Sequence, residues 1–187
     1  MKRREFTRNT VVASFGLMAS PYTGLAQTAK SIARPSKKGI MWGNIGFGST
    51  ILEKFQAAKA AGFDGVEVTS HLNREEVLKA KELTGMIVPS VYGSLHGKYS
   101  LSDPDPEIRA KGVEALKVTL EDAKIYGADT ILLVPGRVSD LVGYDECWER
   151  STAEIKKVLP FAENLGVTIA IENVWNNFLL SPMEMAR

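Results

Sequence analysis

The chain has 187 residues, 44% of them hydrophobic and 24% charged, with 23 Lys and Arg against 22 Asp and Glu. That is length and apolar content enough for one sizeable core, and a charge near balance, +1 for the whole chain and −2 without residues 1–26, gives no bulk electrostatic attraction for nucleic acid or an anionic membrane. The single cysteine, Cys147, excludes an internal disulfide framework.

The first residues are unlike the rest. Lys2, Arg3, Arg4 and Arg8 form a basic head, an uncharged and mildly apolar run follows at 11–20, and Gly24-Leu25-Ala26 supplies small residues for cleavage. This order predicts an export signal over residues 1–26. Arg3-Arg4-Glu5-Phe6 resembles the twin-arginine motif of a route that carries folded proteins, with a periplasmic or extracellular destination. The apolar run is too short for a stable membrane span, which needs about 20 residues. A basic tail with no export role is the alternative. Cleavage after Ala26 removes four basic residues and Glu5, leaving nineteen basic against 21 acidic and a net charge of −2. Residues 27–38, polar with Lys, Ser and Pro, read as a linker.

From residue 39 onwards one unit repeats: helix, glycine, apolar strand. Residues 39–45 read as a first strand. Thr50 with Glu53 makes a capping box that opens a helix over 51–61, and Gly62 leads into a second strand at 63–69. Asn73 with Glu76 repeats the signal for a helix over 74–84, and Gly85 precedes a third strand at 86–91. Asp105-Pro106 reads as N-cap and first turn of the third helix. Its Val113, Leu116, Leu120 and Ala123, spaced 3, 4 and 3, give one apolar face. Gly127 precedes a fourth strand at 128–134. The fourth helix runs over 145–165, where Pro160 is expected to kink or split it and Cys147, beside Trp148, to pack. Gly166 leads into a fifth strand at 167–171.

Near-continuous apolar strands alternating with helices predict an α/β fold with a parallel sheet buried on both faces. No glycine fingerprint for a dinucleotide follows strand 1, because Gly43, Gly46 and Gly48 have the wrong spacing. Five units take about 32 residues each, so eight would take about 258, the size of a (β/α)8 TIM barrel. The expectation is such a barrel, truncated after its fifth strand at Arg187, with open sheet edges that favour a homo-oligomer.

The candidate chemistry sits at strand ends, where parallel barrels carry their active sites. Glu172 follows Thr168-Ile-Ala-Ile171 directly, and a carboxylate there needs a cation or donor to offset its desolvation. It is read as catalytic, against the alternative of a buried ion pair. Asn173 and Asn176 offer hydrogen bonds to substrate hydroxyls, and Trp175 offers a platform for a sugar face or a packing group. His96 ends the third strand segment as a substrate-binding or structural histidine. Tyr92, His71 and Arg137 read as less involved, the last two as solvated loop residues. Glu67, inside strand 2, reads as an ion-pair or supporting residue, and Trp42 and Asn44 as pocket floor.

Three stretches resemble the sugar phosphate isomerase/epimerase family: Ile-Glu-Asn-Val-Trp-Asn at 171–176, Phe-Asp-Gly-Val-Glu-Val at 63–68 and Ala-Asp-Thr-Ile-Leu-Leu-Val-Pro-Gly at 128–136. The resemblance implies the xylose-isomerase-like barrel and a metal-dependent isomerase or epimerase. Such an enzyme abstracts the proton next to a carbonyl through an enediolate. It also implies that Glu172 ligates the metal and takes part in proton transfer, with the other ligands on strands six to eight. Oxygen ligation suits Mn2+, Mg2+ or Co2+. Export favours a free sugar or keto-sugar as the small-molecule partner, with no nucleic acid.

Three alternatives stay open. A lyase or dehydratase on a keto-sugar or keto-inositol would use the same proton abstraction. An abasic-site endonuclease of the same barrel would use His96, but Val134 stands where it would need a histidine. A non-catalytic carbohydrate-binding fragment is the third.

Overall fold

The computed structural model describes residues 36–186. The expected export signal at 1–26, and the linker as far as residue 35, lie outside the described residues.

Among the described residues five strands and five α-helices alternate: β1 Gly39–Met41, α1 Ile51–Ala60, β2 Gly65–Thr69, α2 Arg74–Thr84, β3 Ser90–Tyr92, α3 Pro106–Tyr126, β4 Thr130–Leu133, α4 Tyr144–Leu165, β5 Thr168–Ile171 and α5 Pro182–Met185. All strands are parallel and lie side by side in chain order. A doubly wound sheet reverses direction at a switch point, whereas a barrel adds each strand on the same side. The order is therefore that of a barrel wall.

Register carries the packing. Val68 pairs with Val91, Val91 with Ile131 and Ile131 with Ile169. Val66, Val68, Val91 and Ile131 are wholly buried, in a core completed by Phe55, Val77, Leu120 and Val158 from the helices. Their neighbours alternate to the opposite face, that of the barrel interior. There Glu67, Thr69, Tyr92, Leu132 and Ala170 are half-buried.

The capping residues act as their types predict. Thr50 accepts the Glu53 N–H at 3.2 Å while the Glu53 carboxylate accepts the Thr50 N–H at 3.1 Å. Asn73 accepts from the Glu76 N–H at 3.1 Å, and Asp105 from the Glu107 N–H at 2.8 Å. Gly85, Gly127 and Gly166 end α2, α3 and α4 at φ of 67°, 74° and 66°, where a Cβ would be strained.

Three expectations need correcting. The first strand stops at Met41, not at 45, because the chain turns into a 3-10 helix at Trp42–Asn44. That turn sets Trp42 against Phe55, ring centroids 6.5 Å apart, so Trp42 packs on the core. The third strand starts at Ser90, not at 86. Pro89 has no N–H for a ladder, and before it only an isolated bridge joins Ile87 to Gly65. Pro160 does not split α4, which is one helix. It lies on the exposed side, as does Lys156, whose carbonyl is the one it leaves unbonded.

Helices α3 and α4 are tied by charge. Glu154, 5% exposed, receives Arg109 Nε at 3.1 Å and Lys157 Nζ at 2.5 Å. Burial pushes its carboxyl up, but the Lys157 and Arg109 hydrogen bonds and charges outweigh burial and hold it below the ordinary value. A carboxyl lowered in the folded state stabilises fully above its unfolded pKa, about 4.3, and that share is lost as pH falls through the lower folded value. Glu154→Gln should therefore be less stable than wild type at neutral pH, with the gap narrowing on acidification. Thermal melts from pH 7 to pH 3 check this, and a constant gap contradicts it.

Candidate active site

The loops at the C-terminal ends of the strands collect on one face, and Glu172 is the residue most firmly set there. Its N–H donates to Leu133 O at 2.9 Å, extending the ladder one residue past β5. Thr168, Ala170 and Glu172 alternate onto the barrel-interior face. The sheet, not a mobile loop, thus aims the carboxylate. It is half-buried, and among the described residues it has no hydrogen-bond or ion-pair partner. The buried-ion-pair alternative finds no cation.

His96 is exposed, with Nδ1 2.8 Å from Gly93 O. A carbonyl only accepts, so Nδ1 donates to it, and in the neutral ring Nε2 then keeps its lone pair for a ligand. With Val134, Gly136, Arg137, Trp175 and Asn176 it lines a cleft of about 340 Å3 over the ends of β3, β4 and β5. Trp175 is fully exposed at its edge, so it does not pack on the core formed by the described residues. Asn176 is buried: Nδ2 donates to Gly136 O at 2.5 Å and Oδ1 accepts the Phe178 N–H at 3.3 Å. Its amide is turned to the main chain and braces the strand-4 loop against the strand-5 loop. Asn173 is exposed and lines a different concavity, with Leu179, Leu180 and Pro182.

Arg137 has its backbone pinned. Ser102 Oγ accepts the Arg137 N–H at 2.9 Å and donates to Arg137 O at 3.1 Å. The guanidinium itself has no partner among the described residues. Gly136 permits the fit, because a Cβ there would sit 2.8 Å from Cys147 Sγ and 2.5 Å from Ser151 Oγ. Burial pushes the Cys147 thiol up, which suits its expected packing role.

A second network holds the strand-2 loop, and sequence reasoning missed it. Asp122 of α3, 1% exposed, accepts the His71 N–H at 2.9 Å and Arg74 Nε at 2.7 Å. It thereby fixes His71 at φ 66°. His71 Nδ1 lies 2.8 Å from Ser70 Oγ, which also accepts the Ser94 N–H at 3.1 Å and so joins the ends of β2 and β3. His71 borders concavities along α3, beside Val118 and Asp122. The signal available was an acidic residue, Asp122, beside Leu120 and Ala123 on the buried stripe of α3. Burial, then the Asp122 charge, pushes nearby Tyr126 up to about 12. Glu67 faces the barrel interior, but the ion pair expected for it finds no partner among the described residues.

For a divalent metal the fit is partial. Glu172 could offer one hard oxygen donor, but among the described residues no group of three or more His, Cys, Asp or Glu converges. These residues do not make a coordination site by themselves. Among them, too, no helix is long and apolar enough to cross a membrane.

Comparison with known proteins agrees with the strand order. The family described as "Xylose isomerase-like TIM barrel" matches residues 55–187. L-ribulose-5-phosphate 3-epimerase UlaE of Escherichia coli (strain K12 / DH10B) is 31% identical over 146 residues, covering 67% of this chain and 49% of that protein. The chain thus spans about half the length of the curated relatives it matches. The apo 3-keto-D-glucoside 4-epimerase YcjR of E. coli is similar with a TM-score of 0.61 at 23% identity, over 75% of this chain and 56% of that one. D-psicose 3-epimerase in the presence of D-fructose gives a TM-score of 0.60 at 23% identity, over 76% and 54%. At such identities the likeness to solved structures is one of fold. Strand order and the match over most of the sequence agree: this chain belongs to the xylose isomerase-like TIM barrel family.

Proposed function

We propose that the protein is a sugar isomerase or epimerase that removes and returns the proton next to a carbonyl, with Glu172 as the carboxylate that moves it. The observation that carries this is the placement of Glu172: fixed by the sheet at the end of β5, half-buried, and free of any partner among the described residues. Half-buried and unbonded, its carboxylate oxygens stay open to a substrate proton, which is the geometric requirement for a general base. The relatives named above are sugar epimerases, which supports the reaction class.

The proton next to a sugar carbonyl is weakly acidic, so its removal requires the enediolate charge to be held. A divalent cation such as Mn2+, Mg2+ or Co2+ would supply that stabilisation when bound. Glu172 would be a ligand to such an ion. His96 Nε2 accepts a substrate hydroxyl, and Arg137 donates to one. We read residues 1–26, with their basic head and apolar run, as an export signal, and a protein outside the cytoplasm would meet a free sugar or keto-sugar sooner than a phosphorylated one.

The test is solvent exchange. Ketopentoses and ketohexoses incubated with the purified protein in heavy water should gain deuterium at the carbon next to the carbonyl, alongside the epimer or the aldose. A product short of one water would instead assign a dehydratase. Absence of exchange across the panel would reject proton abstraction altogether.

A further inference from the structure

We infer that the cleft beside Glu172 is a subsite for a second sugar ring, so that the substrate is a glycoside in which a keto-bearing ring reacts; this rests on the epimerase reading above. Three observations converge on it. Trp175 is fully exposed at the cleft edge, whereas Trp42 and Trp148 are half-buried. An indole left in water is a large apolar surface without cover, and it matches the C–H face of a pyranose. The opposite groups suit the ring's hydroxyls. Arg137 offers a forked, unpaired guanidinium on a backbone pinned by Ser102, and His96 offers an accepting Nε2.

Glu172 does not line this cleft, although Trp175 and Asn176 from its own loop do. A reacting ring has to lie within hydrogen-bond reach of Glu172, so the ring held by Trp175 is a different one. Trp175 lies three positions after Glu172, at most about 10 Å of extended chain, which makes the two ring positions adjacent. A cleft of about 340 Å3 lies within the usual range for small-ligand sites, about 300–1,000 Å3. A phosphate is a poorer occupant, because Arg137 is the only cationic side chain on the lining.

The experiment compares a keto-disaccharide with the keto-monosaccharide that forms its reacting half. For Trp175→Ala the ratio of kcat/KM on the disaccharide to that on the monosaccharide should fall about fivefold to tenfold, and Trp175→Phe should retain most of it. An unchanged ratio overturns the subsite while leaving the epimerase reading intact. In parallel, Glu172→Gln protein is titrated with the unoxidised disaccharide, following tryptophan emission. Quenching that disappears in Glu172→Gln/Trp175→Ala supports the subsite even if neither ketone turns over, and in that case only the epimerase reading fails. Emission that ignores the disaccharide but changes with protein concentration puts a second copy on Trp175 and overturns the proposal.

Discussion

Glu172→Gln should lower kcat/KM for exchange of the proton next to the carbonyl by about 10^2–10^4, the span typical of a lost general acid–base group. The change is nearly isosteric, and it leaves the Glu172 N–H to Leu133 O bond, a main-chain contact, in place. Far-ultraviolet circular dichroism and melting temperature should therefore match wild type. The side chain makes no bond among the described residues that the amide would break, so folding has little to lose and chemistry nearly everything. Exchange measured by NMR decides the matter. Near-normal exchange in Glu172→Gln would remove the residue from the mechanism, whereas a loss accompanied by unfolding would point to an unseen structural partner.

The second large effect is expected far from that carboxylate. Asp122→Ala should destabilise the protein by about 2–4 kcal/mol, because one deletion strips the His71 N–H and Arg74 Nε of their acceptor. Arg74 is 38% exposed and keeps Glu121 at 3.0 Å, which limits the loss to the lower part of what breaking a buried pair costs. The His71 amide has no such second partner, and its left-handed backbone would lose what holds it. Asp122→Asn keeps the shape but offers one acceptor oxygen to two donors, so it should fall between the two. Urea unfolding of the three proteins gives the order; equal stability of Asp122→Ala and wild type would show that the network adds nothing.

What could be read in the sequence was local. Thr50 with Glu53, Asp105-Pro106 and the glycines at 85, 127 and 166 act within four residues of themselves, and each sits where its chemistry predicts. Ser181-Pro182-Met183-Glu184 carried the same kind of signal for α5, with Ser181 Oγ accepting the Glu184 N–H at 3.2 Å, and it was overlooked. The strand-end position of Glu172 was legible because a carboxylate directly after an apolar strand run stands out in the sequence. What could not be read was partnership over distance. Asn176 meets Gly136 across 40 residues, and Asp122 meets His71 across 51. Neither has a periodicity or spacing to announce it. Left-handed Asn177 and Leu179 were equally hidden, since a leucine at φ 57° is held there by packing against its own preference.

That packing has a further consequence. Phe178 and Leu179 bury themselves with Val142 and Cys147 in a cluster apart from the main core. Tyr144 and Trp148 close over Phe178 at 5.1 and 6.2 Å between ring centroids, and the Tyr144 hydroxyl donates to Glu184 at 2.7 Å. The segment that carries Asn173 and Trp175 is therefore anchored at its far end by its own small interior. The strand-2 loop, by contrast, is bolted to α3. Mutations at exposed Asn173 and Trp175 can then accumulate without drawing on the stability of the barrel wall, whereas buried Asn176 is tied to Gly136. Over evolutionary time such a segment is free to change the side chains it presents while Glu172, fixed by the sheet, keeps its position.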